Sequence, residues 1–423
     1  MLKRYQTRLL CVLSLLPVLV AAAAAPVRAQ SGTWLSAPDM STGRYSPATV
    51  RLPDNRVLVA GGHNSPGETT NAQIYDPTTN TWTATGSLKF ARDFPVTMCV
   101  DEDQNGTDET ALIFGGYNSS YGTRNTVERF NAAANTFAYL TYKSGSKTYQ
   151  SNMVQARELF TGTKLPSGKV LLVGGFKTFN LIAPNGTLKT AEIYDPFTKR
   201  FTATGSMSST GTPYGRFGHD ALLIPGTSKV LIVGGKERRS NSDWRSLRSI
   251  EMYDVATGTF THVADMAYRR DRVTLAWVEA AKKVLIVGGK SEAPGEPMVD
   301  VRVSEWFDPA RNTVSLGPEL AQGRMGHTLT PLADGGFVVV GGWSESRADG
   351  SRGTTASAER FTITPDGLGG VTFGFVSAGF ALYDAHDHGA AALADGRVLI
   401  VGGKQVTDGS TARYPKRAEL YTP

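Results

Sequence analysis

The densest group of chemically competent side chains is an acidic stretch that runs from residue 101 to residue 109. Side-chain oxygens stand at its positions 1, 3, 5 and 9, which are Asp101, Asp103, Asn105 and Glu109. Thr107 at position 7 offers its backbone carbonyl, and Gly106 permits a sharp turn. Ca²⁺ takes about six to eight oxygen ligands, and this spacing supplies them. Leu112 stands where an EF-hand carries its glutamate, so an EF-hand is not expected. The stretch predicts a structural calcium site; a solvated acidic turn is the alternative.

Histidines are the second group of residues that could do chemistry, as metal ligands or as proton carriers. The six histidines are scattered, and the densest group is His386 and His388 beside Tyr383 and Asp384. His219, His327 and His388 stand at equivalent places of a repeat, which favours a scaffold role. The candidates for lining a central funnel are Arg216, His219, Arg324, His327, His386 and His388. A poised acid or base among such groups would be enough for simple proton-transfer chemistry.

Basic and aromatic loop residues form a third group, suited to holding an anionic or sugar-rich ligand. The candidate binding residues are Arg238, Arg239, Arg245 and Arg248 in one loop, Arg413 and Lys416 in another, and Tyr142 and Tyr149 in a connecting segment. Arginine forks match carboxylates, and aromatic rings offer stacking surfaces. A solvated loop surface without a partner is the alternative interpretation.

These candidates are positioned by a repeat that is marked by seven glycine pairs. The pairs follow short β-branched runs at Gly61-Gly62, Gly115-Gly116, Gly174-Gly175, Gly234-Gly235, Gly288-Gly289, Gly341-Gly342 and Gly402-Gly403. A period of roughly 50 residues is typical of a propeller or a solenoid. The continuous apolar run before each pair indicates a strand that is covered on both faces.

Each repeat contains four strand-like pieces. An arginine precedes the first piece in six of the seven repeats, at Arg44, Arg92, Arg157, Arg216, Arg270 and Arg324, whereas the seventh has Ala385. The third piece carries an acid or amide two residues before an aromatic residue, as in Glu192 and Tyr194, and a second large residue such as Phe201 follows seven positions later. The two large residues are expected to fill the wedge between neighbouring repeats.

Paired glycines after an apolar strand, then Glu-x-Tyr-Asp-Pro and a spaced aromatic residue, resemble the kelch repeat over essentially the whole chain after residue 29. The resemblance implies a β-propeller with four antiparallel strands per blade, in which the glycines and aromatics are structural. The family includes galactose oxidase and a periplasmic sialic-acid mutarotase. The copper site of the oxidase needs a cysteine crosslinked to tyrosine, and Cys99 lies in no such setting, so a galactose oxidase-like domain without copper is expected. The acidic stretch resembles the calcium loops of integrin-type propellers.

The two ends of the chain complement each other. The last repeat stops at Tyr421, before its fourth strand, and the missing piece stands near the other end as Gly32-Thr33-Trp34-Leu35. Joining the two ends would leave no open sheet edge. The sequence therefore predicts an all-β, seven-bladed propeller over residues 30–423, with its N-terminal strand closing the last blade.

Residues 1–29 have the pattern of a cleavable signal peptide, with Lys3, Arg4 and Arg8 before an apolar run and Val27-Arg28-Ala29 at its end. Four of the 44 basic residues and none of the 38 acidic ones lie in this segment, so the net charge of +6 falls to +2 without it. We therefore expect a secreted or periplasmic protein with no transmembrane span in its mature chain and no nucleic-acid partner. A monomer is expected.

The sequence favours a binding or scaffold protein that recognises an extracellular carbohydrate or protein through its loop face. The alternative is a sugar-active enzyme, mutarotase-like, epimerase-like or oxidase-like, that uses the central funnel. A funnel with a converging acid–base pair of shifted pKa would favour the enzyme. A funnel lined only by paired arginines would favour the scaffold.

Overall fold

The computed structural model describes residues 32–178, 186–208, 214–240, 242–344, 352–406 and 411–423. The segment predicted to be a signal peptide, residues 1–29, lies outside this part. The described secondary structure is made of strands. Six four-stranded antiparallel sheets and one sheet that carries a short fifth strand form its body. In the described part of the chain, no helix has the length and apolar character that a membrane crossing requires.

The seven sheets are the blades of a propeller, numbered here along the chain, with strands given from innermost to outermost. Blades 1 to 3 comprise Ala48–Arg51, Val57–Ala60, Ala72–Asp76 and Thr81–Ala84; Val96–Val100, Thr110–Phe114, Val127–Asn131 and Thr136–Tyr139; and Thr161–Lys164, Val170–Val173, Thr190–Asp195 and Arg200–Ser206. Blades 4 and 5 comprise Asp220–Leu223, Lys229–Val233, Trp244–Asp254 and Thr259–Arg270; and Thr274–Val278, Lys283–Val287, Val303–Asp308 and Thr313–Glu319. Blades 6 and 7 comprise Thr328–Pro331, Phe337–Val340, Ser357–Pro365 and Val371–Phe380; and Gly389–Ala392, Val398–Val401, Ala418–Thr422 and Thr33–Ala37.

The ring is closed at the place that the sequence predicts. The innermost strands of neighbouring blades contact one another around the whole circle, including those of blades 7 and 1. Strand Thr33–Ala37 pairs with Ala418–Thr422, with Trp34 opposite Tyr421. The Trp34 indole also donates to the Ala378 carbonyl of blade 6, at 2.9 Å. The predicted seven-bladed architecture and its N-terminal closing strand are confirmed.

The core lies between the blades. The second strand of each blade is buried on both faces, as in Val57–Ala60, because neighbouring blades cover it on either side. The two large residues of each repeat meet across the third and fourth strands, for example Tyr194 and Phe201 with ring centroids 4.8 Å apart. Blade 6 departs from the seven-residue spacing: the aromatic residue opposite Phe361 is Phe375, and Phe373, to which the sequence pattern of this repeat stretches, stands opposite Ile363.

Buried arginines tie blades 2 to 6 together at their loop end. Arg92, Arg157, Arg216, Arg270 and Arg324 are fully buried, and each donates to the carbonyl of the first glycine in its own pair and to a glutamate of the third strand. In blade 4, for example, Arg216 reaches Gly234 O at 2.7 Å and Glu251 Oε1 at 2.8 Å. The glycine itself is required by close approach: a Cβ on Gly61 (φ +66°) would lie 2.7 Å from the Arg92 carbonyl oxygen of the next blade.

Five smaller two-stranded elements extend from the blades. Four lie in the loops between second and third strands, where Lys236–Arg238 pairs with the start of Trp244–Asp254, and where Lys290–Ser291 pairs with Val299–Asp300, Trp343–Ser344 with Gly353–Thr354, and Gln405–Val406 with Ala412–Arg413. The fifth is a hairpin, Thr141–Ser144 with Lys147–Gln150, between blades 2 and 3. These elements make the loop end of the propeller the larger and more varied surface.

Candidate ligand site at the funnel mouth

The central funnel opens at the loop end, within a ring of seven residues. Each blade contributes the residue two places after its buried arginine or Ala385, and all seven have a left-handed backbone; they are Ser46, Phe94, Leu159, Gly218, Arg272, Gly326 and Asp387. Backbone N–H groups of this ring donate to the carbonyl of the preceding blade, as in Ser46 to Asp387 and Arg272 to Gly218, both 2.7 Å. Five of the seven are not glycine, although a left-handed backbone costs other residues on the order of 1–3 kcal/mol. The fold therefore holds these side chains at the axis against a local preference.

An ion pair crosses this ring. Arg272 of blade 5 donates to both carboxylate oxygens of Asp387 in blade 7, at 2.7 and 2.6 Å. His386 Nδ1 lies 2.9 Å from the same carboxylate. Burial would raise the pKa of Asp387, but Arg272 and His386 outweigh burial and hold it far below its ordinary value. Asp387 is therefore a fixed negative charge beside a shallow cavity of about 230 Å³ that the ring residues line.

A second tier of side chains adjoins the ring that lines this cavity. The residue after each buried arginine or Ala385 pairs through its backbone with the residue after the glycine pair; these couples are Tyr45/His63, Asp93/Tyr117, Glu158/Phe176, Phe217/Lys236, Asp271/Lys290, Met325/Trp343 and His386/Lys404. Because one couple comes from every blade, the mouth collects carboxylates, cations and aromatic rings in one circle. The backbone pairing is invariant, and the side chains it presents are not.

The sector between blades 1 and 2 holds a second group of neighbouring titratable side chains. His63 Nδ1 lies 3.3 Å from Glu68 Oε1 and 3.8 Å from Asp93 Oδ2. Burial and the nearby Glu68 and Glu158 carboxylates raise the pKa of Asp93 to about 8. Ser119 binds Glu68 Oε2 through its N–H and its hydroxyl, at 3.1 and 2.8 Å. Two carboxylates and an imidazole therefore converge at one point of the mouth.

A further acid lies in the next blade. Glu158 accepts hydrogen bonds from the hydroxyls of Thr178 and Thr123, at 2.8 and 3.1 Å. Burial raises the pKa of Glu158 to about 7, although both hydroxyls act in the opposite direction. This group exchanges its proton near neutral pH.

Aromatic rings flank the acids on both sides. Tyr414 stacks on Tyr45, with centroids 5.6 Å apart and planes at 17°, and it also contacts His63. On the other side of the mouth, Trp244 packs against Phe176 and Phe217. Ring faces next to carboxylates and hydroxyls are the usual lining of a site for a polar organic ligand.

The predicted funnel residues occupy different environments. Arg216 and Arg324 are fully buried and donate hydrogen bonds to carbonyls and glutamates of their own blades. Each of His219, His327 and His388 bonds a threonine hydroxyl of the preceding blade through Nε2, at 2.9–3.0 Å. Burial lowers the pKa of all three, to about 3 for His327 and about 4 for His388. These neutral rings connect neighbouring blades, although His327 and His388 also border the cavity.

The predicted binding loops are partly occupied by internal contacts. Arg239 pairs with Glu237, Arg245 pairs with Asp243 at 2.7 Å, and the Arg238 guanidinium lies over the Trp244 ring. The three other basic candidates, Arg248, Arg413 and Lys416, are exposed. Tyr142 and Tyr149 stack on each other in the hairpin between blades 2 and 3, 5.5 Å apart, with Arg200 over Tyr142. The structure does not bring these three groups together.

The acidic stretch forms a turn between the first two strands of blade 2. Ligand atoms of Asp101, Asp103 and Glu109 lie within 4.8 Å of one another. Asp101 accepts the N–H groups of Asn105 and Gly106, at 3.2 and 2.7 Å, so the chain already curls around this carboxylate. The donor set is all oxygen, as a hard cation prefers.

The residues that sequence reasoning missed are His63, Glu68, Asp93, Glu158 and Tyr414. For His63, Asp93 and Glu158 a signal was present in the alignment of the repeats, because the places directly after the arginine and directly after the glycine pair change residue type from blade to blade. The register of the blades decides that these variable places meet at the axis.

A larger cavity lies elsewhere. It measures about 910 Å³ and is bordered by the turns between first and second strands of blades 4 and 5, with Ile224, Trp277 and Pro309 among its lining residues. Two of its four charged residues, Glu279 and Lys282, pair with each other at the surface. The mouth is smaller, but it is the place where titratable groups converge, so we take it as the candidate site.

Comparison with known proteins agrees with this architecture. The kelch motif model matches residues 44–89 and 227–267. A segment of 148 residues, 35% of this chain, is 22% identical to the Kelch-like protein terF of Aspergillus terreus and spans 31% of that protein. The solved structure of YjhT superposes with a TM-score of 0.55 at 15% identity, covering 80% of this chain and 99% of YjhT. With seven copies of the repeat in seven closed blades, the chain is a seven-bladed β-propeller whose repeats are similar to the kelch motif.

Proposed function

We propose that this propeller binds a sugar-like, polyhydroxylated ligand in the mouth of its central funnel. The observation that supports the proposal is the second tier of the mouth, where aromatic faces, carboxylates and cations from the seven blades form one circle next to the ring that lines the cavity. Sugars need acceptors and donors for their hydroxyls and a flat apolar surface for their C–H face, and this tier offers both. The opposite end of the propeller consists mainly of short turns.

A glycan array with residues 30–423, followed by calorimetry on the best ligand, tests this proposal. We expect Tyr414→Ala and Trp343→Ala, at two sides of the mouth, to weaken binding at least about 10-fold, since each aromatic contact is worth on the order of 1 kcal/mol or more. Matched controls are Tyr149→Ala on the outer hairpin and Arg248→Ala on an exposed strand, which should change affinity less than about 2-fold. Binding lost in the controls but kept in the mouth variants would assign recognition to the outer loops, or to a protein partner there.

A second candidate, an enzyme that interconverts sugar forms, is favoured by one observation. Glu158 lies in the mouth with its pKa raised to about 7, as a general acid–base group requires at neutral pH. Exchange between anomers of the bound sugar, measured by NMR, should fall at least about 100-fold in Glu158→Gln. Asp271→Asn is the matched control, because Asp271 holds the equivalent place in blade 5. Equal exchange rates in the two variants would exclude Glu158 as the catalytic group.

We also propose that the acidic turn of blade 2 holds a structural Ca²⁺ ion. The clustered oxygens of Asp101, Asp103 and Glu109 support it. Calcium in excess should raise the unfolding free energy by about 2–3 kcal/mol at 100 times its dissociation constant. EDTA should remove the gain, and Asp103→Ala should abolish it. If EDTA and Asp103→Ala both leave the melting temperature unchanged, the turn is a solvated one.

Export of the protein remains part of the proposal. The pattern of residues 1–29 supports a cleaved signal peptide and a secreted or periplasmic location. N-terminal sequencing of the protein recovered from the periplasm and the medium tests it, with Gln30 expected as the first residue. Recovery of the chain in the cytoplasm with an intact N-terminus would contradict this.

A further inference from the structure

We propose that His63, Glu68 and Asp93 form a binding site for a divalent transition-metal cation at the funnel mouth, with Zn²⁺ as the probe. His63 and Glu68 lie in one loop of blade 1, where their backbones pair with each other, and Asp93 precedes the first strand of blade 2. His63 is held by reciprocal backbone hydrogen bonds with Tyr45, both 2.9 Å, and Asp93 by reciprocal bonds with Tyr117, at 2.9 and 3.0 Å. The backbone that carries two of the three donors is therefore fixed.

The distances between the donor atoms fit one shared cation. Zinc binds imidazole nitrogen and carboxylate oxygen at about 2.0–2.2 Å, which places neighbouring donors of a tetrahedral site about 3.4 Å apart. His63 Nδ1 lies 3.3 Å from Glu68 Oε1 and 3.8 Å from Asp93 Oδ2, and all three donors lie within 4.8 Å of one another. No large rearrangement is needed for the three atoms to contact the same ion.

Asp93 supplies an observation that is independent of this spacing. It is only 3% exposed, and its Oδ1 has no hydrogen-bond partner among the described residues. A buried carboxylate is costly unless it is paired or bound to a metal. Its charged neighbours in this sector include the carboxylates Glu68 and Glu158, which repel it. A divalent cation bound to the Asp93 carboxylate would offset the accumulated negative charge.

At the equivalent place of blade 5, the buried acid Asp271 has the hydrogen-bond and cationic neighbours that Asp93 lacks among the described residues. Asp271 is similarly buried, at 4% exposure, but it accepts a hydrogen bond from the Ser246 hydroxyl at 2.6 Å. The residue that pairs with Asp271 is the cationic Lys290. At Asp93 both compensations are missing from the described surroundings, and an imidazole stands in the preceding blade instead.

The supporting contacts also match those of a metal site. Ligating carboxylates are usually oriented by further hydrogen bonds, and Ser119 holds Glu68 by Oε2, leaving Oε1 directed to His63. The His63 ring packs against Tyr45 and Tyr414. One imidazole with two carboxylates suits zinc and its first-row neighbours better than calcium, which prefers oxygen alone. Three protein donors leave at least one position of a tetrahedral ion open.

The test uses residues 30–423, stripped with a chelator and titrated with Zn²⁺ in competition with a chromophoric chelator. We expect one tight site per chain, weakened at least about 30-fold in His63→Ala and in Glu68→Gln. Co²⁺ should give visible absorption bands that both variants lose. Asp93→Asn, which keeps the shape of the side chain, should behave as they do.

Two controls separate this site from other metal binding. His262→Ala removes an exposed histidine that contacts Asp265 on the outer strand of blade 4, and it should leave zinc binding unchanged. Asp103→Ala removes the acidic turn and should also leave it unchanged. Zinc affinity that survives His63→Ala and Glu68→Gln, or that falls only in the two controls, would overturn the proposal. Because the probe is the metal alone, the outcome does not depend on whether a sugar binds.

Discussion

Buried charges occur in two regions of this propeller, and the regions treat them differently. In the arginine anchors of blades 2 to 6, a fully buried guanidinium meets a glutamate and two backbone carbonyls, so the charge is matched at every blade. At the funnel mouth, Asp93 and Glu158 are buried almost as deeply, but their pKa is raised by burial. We call such an arginine–glutamate pair a finished anchor, because its charges are matched within the fold. At the mouth, the negative charge of these acids is left to be balanced by a proton, a cation or a ligand.

Blades 1 and 7 form the seam where the ring closes, and each of them has only one partner of the arginine–glutamate pair. Blade 1 has the arginine without the acid, since Gln73 stands where the other blades have glutamate, and burial lowers the pKa of Arg44 to about 10. Blade 7 has the acid without the arginine, since Ala385 replaces it. Glu419 is 1% exposed, and its Oε1 lacks a hydrogen-bond partner in the described part of the chain. Blade 7, which is built from both chain ends, therefore tolerates a buried acid that has no arginine partner.

The largest expected effect comes from breaking a finished anchor. Arg216→Ala in blade 4 leaves Glu251 buried without its cation, and losing one partner of a buried pair costs about 3–5 kcal/mol. Chemical denaturation should show this loss of unfolding free energy. Arg248→Ala, an exposed arginine of the same blade, should change it by less than about 0.5 kcal/mol. Similar values for the two variants would mean that the anchors do not stabilise the blades.

A smaller effect of opposite sign is expected at the seam. Burial raises the pKa of Glu419 from 4.5 to about 7, so the folded state holds this proton more tightly than the unfolded state. Its contribution is therefore most favourable below pH 4.5 and is lost as the pH rises towards 7. Glu419→Gln should stabilise the protein by about 2 kcal/mol at pH 8 and have little effect at pH 4.5.

The matched control for the seam is the same substitution in a finished anchor. Glu305→Gln in blade 5 removes the charge that Arg270 binds, so it should destabilise the protein at pH 8. Denaturation of both variants at the two pH values measures the contrast. Destabilisation by Glu419→Gln at pH 8 would show that the seam satisfies its acid by another route.

The sequence predicts the anchors much better than the mouth. Glycine pairs, spaced aromatics and arginines recur because every blade needs the same packing, so seven copies reveal the architecture and even the joining of Trp34 to Tyr421. The mouth residues are those that do not recur, and a single copy gives no pattern. Asp93 and His63 stand 30 positions apart and meet because blades 1 and 2 are adjacent.

Equivalent positions also mislead when chemistry is inferred from residue type. His219, His327 and His388 share one place in the repeat and one role, a hydrogen bond to threonine of the preceding blade. Arg216 and Arg324 are predicted from the sequence to line the funnel, yet the structure places them inside their blades. These buried histidines and arginines differ from His63 and His386, which are only partly buried. The sequence does not reveal the burial of a single polar residue.

The smallest expected effect tests whether such a histidine is only a packing element. Blade 3 carries Phe160 where blade 6 carries His327, and both rings pack against the first glycine of the preceding pair, Gly115 and Gly288. His327→Phe should therefore cost less than about 1 kcal/mol at pH 7, the value of the lost Thr274 hydrogen bond.

Burial lowers the pKa of His327 from 6.5 to about 3, so wild-type stability falls as the pH drops below 6.5. The variant lacks this loss and should be more stable than wild type by about 1 kcal/mol at pH 5. Thr274→Val, which keeps the imidazole, should retain the acid sensitivity, and denaturation at both pH values measures it. A His327→Phe variant as acid-sensitive as Thr274→Val would mean that this ring is charged in the folded protein and belongs to the mouth.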